Sequence, residues 1–141
     1  MSHPIVIAID LETTGLDVAS DRVVEIGAIA FDGNGAELGR FERLLQPERP
    51  MGATAIAVSG IRDADLADAP LAAEVLPDFL GFLEGFPDAP LIAHNAAFDA
   101  GFLGMELARA GMAIPDRRVF DTLALARSAL PDLRSHRLDL L

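Results

Sequence analysis

Two short acidic segments of this chain carry groups that could do chemistry. The first is Asp10-Leu11-Glu12-Thr13-Thr14-Gly15-Leu16, directly after the apolar run Ile5-Val6-Ile7-Ala8-Ile9. The second is His94-Asn95-Ala96-Ala97-Phe98-Asp99, directly after Leu91-Ile92-Ala93. Each sets carboxylates where a buried strand runs out. Asp10 and Glu12 are two apart on an extended backbone, so both side chains leave the same face. Three acids so placed can hold divalent cations, and such cations suit phosphodiester chemistry. Thr13 and Thr14 offer hydroxyls and backbone N–H groups. Gly15 permits a left-handed turn and close approach of a ligand. Leu16 could press on an apolar ligand surface such as a base.

Each segment also has a plainer reading. Asp, Thr and Gly are ordinary turn residues after a strand. Asp99 falls in the first turn of a helix, where the dipole favours a carboxylate. Phe98 and Phe102 sit one helical turn apart and could both be core, or Phe98 could pack on a terminal sugar or base. His94 at a strand end reads as a hydrogen-bonded structural histidine.

The elements that must position these groups follow from patterning. Residues 4–10 form an apolar central strand, 22–31 a second and 36–46 a third, with Asp32-Gly33-Asn34-Gly35 as a hairpin turn. Residues 63–69 make a short turn of helix. Residues 70–84 follow as a helix that Pro77 should kink or restart. Residues 91–93 form a short buried strand. Asn95 is expected to N-cap a helix over 96–110 that Gly111 ends. A strand at 119–120, a helix over 122–130 and the first turn of another over 135–141 complete the order. The fold class is therefore α/β: a mixed sheet of about five strands in the order β-β-β-α-β-α-β-α, flanked by helices. Ligands in such sheets sit at the carboxyl ends of strands, where Asp10 and Asp99 fall.

Composition narrows the chemistry. The 141 residues make one domain with room for a real core. There is no cysteine, so any metal must sit on oxygen or imidazole ligands. The net charge of −11, carried against 11 arginines and no lysine, argues against a passive duplex binder. It argues less against an enzyme gripping one strand end, because bound cations reverse the local sign. No stretch is long enough to cross a membrane, no secretory signal is evident, and the expected location is the cytoplasm.

Taken together, the two segments resemble the first two motifs of the DEDD (DnaQ-like) 3′–5′ exonucleases, the superfamily of the proofreading epsilon subunit of bacterial DNA polymerase III. The run Asp21-Arg22-Val23-Val24-Glu25-Ile26-Gly27-Ala28, the segment Val58-Ser59-Gly60-Ile61 and the run Phe120-Asp121-Thr122-Leu123-Ala124-Leu125-Ala126-Arg127 match in the same order. The resemblance implies an RNase H-like fold. It also implies that Asp10, Glu12 and Asp99 hold two Mg²⁺ or Mn²⁺ ions for hydrolysis of a terminal phosphodiester. Thr13, Thr14, Gly15, Leu16, Thr54, Ser59 and Phe98 would contact the 3′-terminal nucleotide. Family members associated with polymerases often carry His-Gly-Ile where this chain has Ser59-Gly60-Ile61. Glu25 reads as structural and paired with an arginine, and Asp121 as a helix-start residue. The implied substrate is a single-stranded 3′ end, DNA before RNA, with a DNA polymerase subunit as partner.

The family's third motif, a histidine followed five residues later by an aspartate, would lie past the segment at 133–141. On this reading 1–141 is a single exonuclease-like domain shortened at its C-terminus, and the general base is not in the chain. His136 and Asp139 are three apart and match the preceding helix instead; His3 is placed worse still. An exonuclease thus stands beside two alternatives: a binding fragment of such an enzyme, and an RNA-trimming exoribonuclease.

Overall fold

The computed structural model describes residues 4–122. Three antiparallel strands open the fold: β1 (Ile5–Thr13), β2 (Val23–Asp32) and β3 (Glu37–Leu44). Three helices follow, α1 (Ala53–Ser59), α2 (Asp63–Leu66) and α3 (Ala72–Glu84). Then come β4 (Leu91–Ala93), α4 (Ala96–Arg109) and β5 (Val119–Asp121). The sheet order is β3-β2-β1-β4-β5, with β4 and β5 parallel to β1. The mixed five-stranded sheet is the one expected, with β1 central.

Alternation along the strands decides the core. Ile7, Ile9 and Leu11 of β1 and Ile26, Ala28 and Ala30 of β2 turn to one face and are buried. Against them pack Val75, Leu76, Phe79 and Leu83 of α3 and Phe102, Leu103 and Leu107 of α4. Phe41 of β3 meets Phe79 edge-on at 5.5 Å. The opposite face carries Val6, Ala8, Ile29, Phe31, Ile92 and Phe120, cross-strand neighbours by register. Farther along that face stand Asp10 and Glu12, opposite Gly27 and Glu25. A second, small cluster of Val24, Met51 and Leu66 seats α1 and α2 beyond the sheet.

The hairpin at residues 32–35 forms as read: Asp32 accepts from Gly35 N–H through its carbonyl and from Asn34 N–H through its carboxylate, with Gly35 at φ 81°. Four expectations need correction. β1 runs three residues past residue 10, so Asp10 and Glu12 lie within the strand rather than after it. Helix α1 was not foreseen, although its alanine-rich run ends at Gly60 in the left-handed conformation (φ 76°), a sound stop signal. Pro77 does not restart α3, which continues through it because a full apolar stripe holds the helix on the sheet. Asn95 occupies the N-cap position of α4, but at φ 73° and ψ 62° its side chain makes no cap bond. Its backbone N–H donates instead to Asp121 Oδ1 at 3.0 Å. Asp121 therefore ends β5 and braces the entry to α4. The segments at 123–130 and 135–141, with His136 and Asp139, lie outside the described residues, as does His3.

Candidate active site

The register between β1 and β4 pairs Ile7 with Leu91 and Ala8 with Ile92. It brings the exit of β4, His94-Asn95, alongside the far end of β1. Asn95 in the left-handed region turns the chain sharply into α4, whose first turn carries Asp99. A cleft of about 290 Å³ opens there. Asp10, Glu12 and Asp99 all line it, with Leu11, Thr13, Gly15 and Leu16 from the end of β1. Thr54, Ala55 and Val58 of α1 form one wall, and His94, Asn95 and Phe98 another.

A β-bulge shapes the acidic end. The pairing Glu12–Glu25 is followed by Thr13–Val23, so Val24 has no opposite number. Val23 and Val24 can then both be buried, in the two separate clusters. The bulge also bends the strand where Thr13 leads into the loop.

The electrostatics are those of crowded carboxylates. Asp99 is 4% exposed. Burial, and then the charges of Asp10, Glu12 and Asp121, push its carboxyl up to about 7. Glu12 is raised by partial burial and by Asp10 and Glu25. Asp10 stands at the open side of the cleft, yet partial loss of water still raises it, against the Leu11 N–H bond that favours its ionised form. No arginine or lysine lines the cleft. Glu25 was expected to pair with an arginine, but no ion pair joins it to one among the described residues. It faces Glu12 across the strands and is itself raised by burial and by Glu42 and Asp10.

The other expected contact residues divide. Leu16 is 82% exposed at the cleft and free to meet a ligand. Phe98 serves both readings, since it lines the cleft and packs on Phe102 at 4.7 Å between ring centres. Thr54 also faces the cleft. Thr14 does not: it is 1% exposed, its hydroxyl donates to Asp21 Oδ1 (2.8 Å) and accepts from Arg22 N–H (3.0 Å). The Thr13 hydroxyl donates to the Gly15 carbonyl at 2.6 Å. Ser59 bonds locally at the end of α1, donating to the Ala55 carbonyl and accepting from Ile61 N–H, and lies outside the cleft lining. Gly15 is not left-handed. Its lack of a side chain matters for another reason: a Cβ there would lie 2.4 Å from Asp21 Oδ2.

Sequence reasoning passed over Ala55 and Val58, whose signal was the unrecognised helix α1. It read His94 as structural. The histidine does bond through Nδ1 to Thr122 Oγ1 (3.2 Å), yet it also lines the cleft, and its buried Nε2 has no partner among the described residues.

Among the described residues, no group of three or more His, Asp or Glu side chains is already drawn into the arrangement of a metal centre. The donor set nonetheless suits a hard divalent cation. It consists of carboxylate oxygens on one cleft, mutually repelling, with no protein cation lining it.

Comparison with known proteins agrees with this geometry. The family model described as "Exonuclease" matches residues 7–141. The chain is 41% identical over 133 residues to a PolC-type DNA polymerase III of Bacillus cereus, covering 94% of this chain and 9% of that protein. It is 37% identical over 135 residues to the DNA polymerase III subunit epsilon of Treponema pallidum, covering 96% of this chain and 61% of that one. The chain thus spans only part of the length of these relatives. E. coli exonuclease I in complex with a 5cy-dA13 oligonucleotide superposes with a TM-score of 0.84 at 19% identity, over 96% of this chain and 35% of that one. The mixed sheet is accordingly the RNase H-like exonuclease fold. With the family's model matched over residues 7–141 of this chain, and with the sheet and the placement of its acidic segments to go with it, this chain belongs to the DnaQ-like exonuclease family.

Proposed function

We propose that the domain is a metal-dependent 3′–5′ exonuclease that removes nucleotides from single-stranded DNA, in the setting of replication proofreading or repair. The observation that carries this reading is the gathering of Asp10, Glu12 and Asp99 on one cleft walled by hydroxyl and apolar groups. The names of the relatives, polymerase III proteins, favour DNA and a polymerase subunit as partner. No helix among the described residues is long and apolar enough to cross a membrane, and the cytoplasm is the proposed location.

Asp10, Glu12 and Asp99 would hold two Mg²⁺ or Mn²⁺ ions, which supply activation of a water and stabilisation of the departing 3′ oxygen. The protein's own part is to place the strand end. Leu16 and Phe98 offer apolar surface to the terminal base and sugar. Thr13, Gly15 and Thr54 edge the same space. With no basic side chain lining the cleft, affinity for phosphate would depend on the bound cations.

The test uses the metal-free chain with a 5′-labelled single-stranded DNA and an RNA of the same sequence, supplied with Mn²⁺ or Mg²⁺. Shortening of the DNA from its 3′ end, lost in Asp10→Ala, supports the proposal. Preferential shortening of the RNA would make it an exoribonuclease. Binding without shortening would make it a binding module.

A further inference from the structure

The three walls of the cleft are tied together behind it by one buried acid that is not itself in the cleft. Glu106 lies on α4 two turns after Asp99 and is 1% exposed. Its carboxylate accepts from Arg22 Nε at 2.8 and 3.2 Å, from Val23 N–H at 3.1 Å and from Arg109 at 3.1 Å. Arg109 also donates to the Ala19 carbonyl at 3.0 Å, so α4 holds both the loop and the start of β2.

From Arg22 the connection runs to the cleft. Arg22 N–H donates to Thr14 Oγ1 (3.0 Å), and Thr14 N–H donates to the Arg22 carbonyl (2.9 Å). The Thr14 carbonyl accepts from Gly52 N–H (2.9 Å), the residue that opens α1. Thr14 is flanked by Thr13 and Gly15, both of which line the cleft. One acid therefore links the helix bearing Asp99, the loop beside Asp10 and Glu12, and the helix bearing Thr54.

A buried acid with two arginines is a weak device for stability alone, since an apolar replacement of similar volume often serves as well. Its geometry is directional, with hydrogen bonds from Arg22, Val23 and Arg109 converging on one carboxylate. We propose that Glu106 is a positioning residue, a clamp that sets the spacing of Asp99 from the Asp10–Glu12 wall. The assignment rests on the exonuclease reading only for its consequence in activity; the clamp itself is a statement about distance.

The chain has no cysteine, so spin labels can be placed at Leu16→Cys and Ala97→Cys alone. Their distance distribution, measured by pulsed electron resonance without metal, should be narrow with Glu106 and clearly broader in Glu106→Gln. Phe41→Leu, a core change away from the cleft, serves as a destabilised control and should leave it narrow. In the unlabelled proteins, Glu106→Gln should weaken Mn²⁺ binding at least tenfold at a temperature where circular dichroism shows it folded, while Phe41→Leu should not. An unchanged distance distribution in Glu106→Gln, or broadening to the same degree in Phe41→Leu, overturns the clamp. Failure of the Glu106-containing protein to bind Mn²⁺ or shorten DNA would refute the exonuclease reading, while the distance measurement would still decide the clamp.

Discussion

Replacing Asp99 with Asn should stabilise the metal-free protein at alkaline pH while removing a ligand of the proposed metal site. The carboxyl of Asp99 is held at about 7, against 3.8 for an ordinary aspartate. A folded-state value above the unfolded one means that the native protein keeps a proton the unfolded chain releases. Stability from this group is therefore undiminished below about pH 4, falls as pH rises towards 7, and is lowest above 7. A shift of that size corresponds to about 4 kcal/mol at 1.36 kcal/mol for each pH unit. Water and salt at the open side of the cleft reduce it to about 2 kcal/mol. Asparagine keeps the shape and removes the charge, relieving Asp10 and Glu12 as well. Urea unfolding in the presence of a chelator, at pH 4 and pH 8, measures the effect. Asp99→Asn should exceed Asp99 by about 2 kcal/mol at pH 8, with the gap closing at pH 4. Adding Mn²⁺ should stabilise the Asp99 protein far more than Asp99→Asn. A gap independent of pH, or an Asn variant less stable at pH 8, would refute the argument that crowded carboxylates strain this cleft.

Gly52→Ala would set a Cβ 2.9 Å from the Thr14 carbonyl oxygen and should cost about 1–3 kcal/mol in a thermal or urea melt. Arg117 donates to the carbonyls of Leu83, Phe86 and Ala89, closing the turn after α3 onto the approach to β5. Arg117→Ala should lose about 1–3 kcal/mol in urea unfolding, with no change in Mn²⁺ affinity by calorimetry. Leu16→Ala removes exposed apolar surface at the cleft, so oligonucleotide affinity measured by anisotropy with Ca²⁺ should fall several-fold while the melting temperature stays within a degree or two.

Much of this was legible because the informative features were local and periodic. The unbroken apolar run at Ile5–Ile9, the Asp-Gly-Asn-Gly turn and the run Leu91-Ile92-Ala93 each fix an element by themselves. Asp10 and Glu12 share a face by strand geometry alone, and Asp99 falls in the first turn of α4 because Asn95 and the alanines mark its start. What escaped depends on contacts between distant segments. Gly15 looks like a turn glycine, but it is required by the approach of the Asp21 carboxylate. Thr14 looks like a ligand hydroxyl, but the pairing of residues 14 and 22 turns it inward. The bulge at Glu12 arises from the competing burial of Val23 and Val24. Glu106 had a visible signal, an acid on the same helical stripe as Phe102 and Leu103, but its arginine partners come from Arg22, across the fold, as well as from Arg109.

The central claim is that Asp10, Glu12 and Asp99 act as one metal-binding unit. Calorimetric titration of the metal-free chain with Mn²⁺, beside Asp10→Ala, Glu12→Ala and Asp99→Ala, tests it most directly. The account predicts two ions bound per chain and a loss of binding in every variant. A titration that Asp10→Ala leaves unchanged would contradict it.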